Sequence, residues 1–74
     1  LKKFKNMSDI EEKVERLSTK IHMQPKNSTL RLQLAELYEQ SGQRDRALMV
    51  YRQAAYIGNA EAERRIKNIL NNLN

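Results

Sequence analysis

The sequence predicts an all-α domain of about four helices, and three observations indicate this class. Apolar residues recur at spacings of three and four along most of the 74-residue chain, which is the period of an amphipathic helix. Pro25, Gly42 and Gly58 interrupt this pattern where helices are expected to end. The chain has no Trp, one Phe and three Tyr, so it lacks the aromatic content typical of a β-sandwich.

The first helix is predicted to begin at Ser8. Ser8 and Glu11 form an S-x-x-E capping box, in which each side chain can bond a free backbone amide at the helix start. Residues 1–7 show no helical periodicity and are expected to form a flexible basic lead-in. The helix must end before Pro25, because the proline ring disfavours helical geometry at the preceding residue. Its apolar seam consists of Ile10, Val14, Leu17 and Ile21.

A helical hairpin is predicted over roughly residues 28–57. Asn27 or Ser28 is suited to cap its first helix, and Gly42 is suited to end that helix in a left-handed conformation. The second helix of the hairpin is expected to begin near Asp45 and to end at Gly58. Both helices carry apolar stripes, which we expect to pack against each other.

A fourth helix is predicted to follow the hairpin. Asn59 is its expected N-cap, and Glu61 and Glu63 place negative charge in its first turn, where the helix dipole favours it. Since the connectors are about two to five residues long, consecutive helices are expected to lie antiparallel. The apolar stripe of this helix consists of Ala62, Ile66, Ile69, Leu70 and Leu73.

A set of hairpin residues occurs at the spacings of a tetratricopeptide repeat, a unit of about 34 residues. These residues are Leu34, Ala35, Tyr38, Gly42, Ala47, Tyr51 and Ala54. The chain therefore resembles this family over one full repeat, about residues 26–59, with a half-repeat before it and a capping helix over about 60–72. The run 54–62 is also similar to the Sel1-type variant of these repeats. The resemblance implies a single helical domain over residues 8–74.

The resemblance also implies a function: a non-catalytic protein–protein interaction module, serving as an adaptor or assembly-scaffold segment of a larger protein. In this family the first helix of each repeat lines a groove that binds a peptide or a helix. Carried over by register, the groove positions of this chain are Thr29, Leu32, Glu36, Glu39 and Gln40. Leu32 is equally suited to a role in packing.

Leu32 and Glu36 determine which partner the resemblance implies. Some members of the family hold an acidic C-terminal peptide with a clamp of Lys, Asn and Arg at these positions. Neither Leu nor Glu can bind a carboxylate, so a partner of that type is not expected. An amphipathic helix or a neutral or basic segment is the predicted partner of the groove.

Two alternatives remain for the function. The first is homo-oligomerisation through the narrow apolar seams of the first and last helices, which have coiled-coil-like spacing. The seam residues are Ile10, Val14, Leu17, Ile21, Ile66, Ile69 and Leu73. The second is a nucleic-acid or anionic-membrane contact through the basic patch Arg64, Arg65 and Lys67, in a chain of net charge +5. Nucleic acid is disfavoured, since Tyr38 and Tyr51 are expected in the repeat core and not free to stack on bases.

Catalytic and metal chemistry are not predicted. The chain has no Cys and a single His, His22, which excludes a cysteine nucleophile and a multi-histidine metal site. Glu36 and Glu39 share a helical face, but they are expected to be solvated and not buried as a general acid/base pair. We therefore expect no enzyme activity, cofactor or metal. No apolar run reaches the length of a membrane span. The expected location is cytoplasmic, with a membrane-tethered parent protein as the alternative, and the absence of Cys is compatible with a reducing or an oxidising compartment.

Overall fold

The computed structural model describes residues 7–72, and within that range the secondary structure is entirely helical. The helices are α1 (Met7–Met23), α2 (Ser28–Gln40), α3 (Arg44–Ile57) and α4 (Ala60–Asn71). The predicted all-α class with about four helices is therefore confirmed. Most of the predicted lead-in, residues 1–6, lies outside the described residues, and so does the seam residue Leu73.

Ser8 does not take the predicted capping position. The described part of α1 starts at Met7, so Ser8 lies within the helix and is not the residue that precedes it. The end of α1 agrees with the prediction. The helix stops at Met23, and the Gln24 amide donates to the Lys20 carbonyl at 2.9 Å just before Pro25 turns the chain.

The connectors between the later helices confirm the predicted caps. Asn27 and Asn59 each precede a helix, and their side-chain oxygens accept hydrogen bonds from the amides of Thr29 (3.1 Å) and Ala62 (2.9 Å). Gly58 follows α3 with a φ of 114°, a left-handed conformation that a residue with a Cβ rarely adopts. These local signals fix where α2, α3 and α4 begin or end.

The helices pack as consecutive neighbours. α2 and α3 share the most extensive contact, α4 packs mainly on α3, and α1 packs on α2. Asn59 Nδ2 donates to Ser28 Oγ at 3.2 Å, so the beginnings of α2 and α4 lie side by side. With these short connectors, the last turns of α1 and α3 lie at that same end of the bundle.

The core lies between α2, α3 and α4. Ala47 and Ala54 of α3 are fully buried, as are Ala35 of α2 and Ala62 of α4. Because alanine presents only a methyl group, the helices can approach closely at these points. The Tyr51 ring, also fully buried, fills the space beside them. Within residues 8–72, no polar or charged side chain is buried.

α1 covers one side of the hairpin with its apolar seam. Ile10 is buried, and Val14, Leu17 and Ile21 pack against the core. Most of the remaining surface of α1 is polar and exposed. None of the described helices is both long enough and apolar enough to cross a membrane.

Candidate functional site

The predicted groove positions lie on α2, but their side chains are not equally free. Thr29 and Gln40 are exposed to solvent. Leu32 is half-buried and packs against the core, which corresponds to the second of its two expected roles. Glu36 and Glu39 both bond to residues of other helices. The predicted groove is therefore only in part a free surface.

The side chain of Arg65, from α4, covers the middle of the predicted groove on α2. Its guanidinium donates to Glu36 of α2 at 2.8 Å and to Glu61 of its own helix at 2.9 Å. Its Nη1 atom lies 4.0 Å from a carboxylate oxygen of Glu39. The hydrogen bond to Glu61 is the main reason that the pKa of Arg65 is raised. The side chain is 33% exposed, so water screens these contacts only in part.

The Tyr51 hydroxyl links α3 to the same group of charges. It donates to Glu39 at 2.6 Å and accepts from Arg65 at 3.2 Å. Burial of the side chain, reinforced by the hydrogen bond to Glu39, raises the pKa of Tyr51 well above its ordinary value. The hydroxyl therefore remains a donor at neutral pH. We call Glu36, Glu39, Tyr51, Glu61 and Arg65 the Arg65 cluster, and it fastens α4 to both helices of the hairpin.

The Arg65 cluster changes what the groove can bind. The prediction of a neutral or basic partner depended on Leu32 and Glu36 being unable to bind a carboxylate, and the Glu36 carboxylate is itself paired within the chain. A basic partner would have to displace Arg65 from a helix that is anchored by the buried Ala62 and Ile69. The Glu36 carboxylate is therefore not free to attract a basic partner.

Replacing Arg65 with methionine is expected to lower the free energy of unfolding by about 1–2 kcal/mol. Methionine keeps much of the apolar stem but leaves Glu36, Glu39 and Glu61 as like charges without their common cation. Urea unfolding followed by circular dichroism measures the loss. Adding Glu36→Gln to this variant should recover part of the loss, since it removes one of the like charges.

Arg64→Met is the matched control on the neighbouring residue. The Arg64 side chain is 70% exposed and makes its ion pair with Glu61 at 3.1 Å. Its removal is expected to cost about 0.5 kcal/mol or less. Equal losses for the two variants would show that the Arg65 cluster stabilises the fold no more than a surface ion pair does.

The predicted basic patch on α4 does not form a continuous surface. Arg65 turns toward the hairpin and is held in the Arg65 cluster. Arg64 and Lys67 are exposed, and Arg64 is paired with Glu61. The patch therefore lacks its central cation, because neighbouring residues of a helix face different directions.

The proposed oligomer seams are largely covered within the chain. The α1 seam lies against the hairpin, as described above. On α4, Ile69 is buried and Ile66 packs against the core, while the adjacent Leu70 is 42% exposed. In this arrangement the described seam residues hold the helices of one chain together, and little of their surface is available to a second copy.

An exposed face of α3 was not predicted from the sequence. It consists of Met49, Arg52, Gln53 and Tyr56, which recur at helical spacing and face away from the core. We call these residues the outer face of α3. Met49 is 55% exposed and Tyr56 is 93% exposed. The spacing is visible in the sequence, but only the packing of α3 shows which side of the helix meets solvent.

A shallow cleft adjoins the outer face, between the end of α3 and the start of α2. It is lined by Arg31, Arg52, Gln53, Tyr56 and Ile57. Arg31 donates to the Pro25 carbonyl, which holds its side chain beside the connector between α1 and α2. The outer face and this cleft together form the candidate functional site.

None of the residues considered for chemistry lines the cleft or belongs to the outer face of α3. His22 is exposed in the last turn of α1. Glu36 and Glu39 belong to the Arg65 cluster. Across the part of the chain that the structure describes, no group of His, Asp and Glu residues could hold a metal ion.

Comparison with protein-family models, with curated proteins and with solved structures found no match to this chain. The resemblance to the tetratricopeptide repeat therefore depends on the residue pattern described above.

Proposed function

We propose that this chain is a non-catalytic protein-interaction module of the tetratricopeptide type, which acts as an adaptor or scaffold segment. The outer face of α3 carries the proposal, because Met49 and Tyr56 expose apolar surface there. Met, Tyr and Arg are the side chains that are enriched at protein interfaces. Arg52, between the two apolar residues, makes no ion pair with another described residue, so the face has a charged contact to offer as well.

The packing of the α2–α3 hairpin supports the repeat-like part of the proposal. Ala35, Ala47 and Ala54 are fully buried at the positions where such a repeat has small residues. Tyr51 occupies the core beside them. Units of this kind present extended surfaces to other proteins, and a 74-residue chain can offer such a surface without any catalytic machinery.

The outer face of α3 suits a partner better than the groove on α2. In the groove, Leu32 packs inward and Glu36 is paired with Arg65. A partner there would break contacts within the chain before it made its own. On the outer face it would displace only water, and burial of apolar surface at about 25 cal/mol per Å² would favour binding.

Affinity capture with matched variants tests this proposal. The immobilised chain is incubated with an extract of its host cells, and the bound proteins are quantified by mass spectrometry. We expect specific partners to be lost when Met49 and Tyr56 are both replaced by serine. The same partners should be retained when Thr29 and Gln40, which are exposed in the groove, are both replaced by alanine.

Two results would contradict the proposal. One is a partner that is lost with the groove variant and kept with the outer-face variant. The other is a dimer of the purified chain, seen by light scattering, that dissociates when Met49 and Tyr56 are replaced. Leu32 and Glu36 are unsuitable probes of the groove, because replacing either also disturbs contacts within the fold.

A further inference from the structure

Charge is distributed unevenly between the two ends of the bundle. The sequence has no Asp or Glu between Glu15 and Glu36, and none between Asp45 and Glu61. These gaps include the last turns of α1 and α3, the start of α2 and the connector that precedes it. We call this the basic end, and its cations are Lys20, Lys26, Arg31 and Arg52.

The start of α4 lies beside the start of α2, so Glu61 and Glu63 of its first turn are carboxylates at the same end of the bundle. Glu61 is already paired with both Arg64 and Arg65. The positive charge of the basic end is therefore left largely without compensation by the chain itself.

Exposed apolar side chains occur at the same end. Met23, the last residue of α1, is 75% exposed, and Tyr56 and Ile57 lie in the last turn of α3. Tyr56 and Ile57 line the cleft together with Arg31 and Arg52. The basic end thus combines apolar surface with guanidinium groups, which is the composition of an interface centre.

We propose that the basic end binds an acidic segment of a partner protein, in which an apolar side chain lies next to the carboxylates. This inference depends on the proposed function and specifies the chemistry of the partner. The carboxylates of the segment pair with Arg31 and Arg52, and its apolar side chain lies against Tyr56 and Ile57 in the cleft.

The two arginines have donors free for this role. Arg52 has no hydrogen bond or ion pair with another residue in the described range. Arg31 uses one guanidinium nitrogen on the Pro25 carbonyl and retains the others. A guanidinium presents a planar fork of N–H groups that matches a carboxylate. Gln53, in the same cleft, offers a donor and an acceptor for the peptide backbone.

A protein segment fits this site better than a bilayer or a nucleic acid does. The shallow cleft combines the guanidinium groups of Arg31 and Arg52 with the apolar side chains of Tyr56 and Ile57 over an area that a single short peptide segment can cover. A single-stranded nucleic acid needs aromatic platforms for successive bases, and among the described residues Tyr56 is the exposed aromatic side chain at this end. Charge complementarity then selects an acidic segment over a neutral or basic one.

An array of short synthetic peptides tests the inference. The peptides form matched sets in which Glu is exchanged for Gln or Lys, and Leu or Phe is exchanged for Ser. The labelled chain is expected to prefer peptides that contain both Glu and an apolar residue. Binding of the best peptide in solution should weaken as salt is raised.

Variants on the same helix locate the binding site. Arg52→Gln and Tyr56→Ala are each expected to lower the affinity for the best peptide about tenfold. Arg44→Gln is the control for Arg52→Gln, since it removes the same charge from the opposite end of α3, where Arg44 is also exposed. It should leave the affinity unchanged. All of these side chains are exposed, so circular dichroism should show an intact fold.

Several outcomes would overturn the inference. If the Gln peptides bind as tightly as the Glu peptides, charge does not determine the binding. If Arg44→Gln lowers the affinity as much as Arg52→Gln does, the binding site is not at the basic end. Binding to phosphatidylserine vesicles that depends on Arg52 and Tyr56, without peptide binding, would identify a membrane contact instead. If affinity capture yields a partner that depends on the outer face but no acidic peptide binds, this inference fails and the proposed function stands.

Discussion

Replacing Tyr51 with alanine is expected to remove about 3–5 kcal/mol from the free energy of unfolding. The ring is fully buried at the centre of the core, and its hydroxyl bonds to both Glu39 and Arg65. A domain of this length has a total stability of about 4–11 kcal/mol. The variant should therefore lose a large share of its stability and melt well below the original chain, which a thermal melt followed by far-ultraviolet circular dichroism would show.

Two further substitutions make this result interpretable. Tyr56→Ala is the same chemical change five residues along α3, at a side chain that is 93% exposed, and it should change stability by about 0.5 kcal/mol or less. Tyr51→Phe keeps the ring and removes the hydroxyl, and should cost about 1–2 kcal/mol. A Tyr51→Ala protein as stable as Tyr56→Ala would show that Tyr51 does not lie in the core.

Replacing Ala47 with leucine is expected to destabilise the domain by about 1–3 kcal/mol. Ala47 is fully buried among the core residues of the hairpin, where its small side chain lets the two helices approach closely. The extra carbon atoms of leucine would have to push α2 away or adopt strained rotamers. Urea unfolding measures the loss, and weaker near-ultraviolet dichroism of the tyrosines would report the looser packing.

Ala60→Leu is the control for this second substitution. Ala60 is the first residue of α4 and is exposed, so the added side chain should lie in water and change stability by about 0.5 kcal/mol or less. If the Ala47→Leu variant has the same melting temperature as the original chain, the helices do not cross closely at Ala47. The resemblance to a tetratricopeptide repeat would then lose its main physical support.

The helices and their ends could be predicted from the sequence because local chemistry determines them. Asn27 and Asn59 cap helices through their own side chains, and Gly58 ends α3 in a conformation that suits glycine. The period of the apolar residues likewise determines which side of each helix faces inward. Ser8, by contrast, lies within α1 and not before it.

The Arg65 cluster could not be predicted, because it depends on contacts between distant parts of the chain. Arg65 and Glu36 are 29 positions apart, and Arg65 and Tyr51 are 14 positions apart. Their meeting requires the angle and register of α4 on the hairpin, which no local pattern encodes. In the sequence Arg65 stands beside Arg64, and the pair was therefore interpreted as part of a basic patch.

The candidate site could not be predicted from the sequence for a related reason. The sequence pattern assigns neither Met49 nor Tyr56 to the core, and it also does not indicate that the two side chains belong to one binding surface. Only the contacts of α3 with its neighbours show that both side chains meet solvent. The basic end depends on the same information, since Arg31 and Arg52 become neighbours only when α2 packs on α3.

Site-specific photo-crosslinking tests the central claim most directly, namely that a partner binds the outer face of α3 and not the groove on α2. A photoreactive amino acid is placed at Gln53 in one protein and at Gln40 in another, both being exposed glutamines. Each protein is irradiated with the host-cell extract, and the adducts are analysed by mass spectrometry. We predict specific protein adducts at Gln53 that excess unmodified chain competes away, and none at Gln40. Competable adducts at Gln40 alone would contradict the account and return the binding site to the groove.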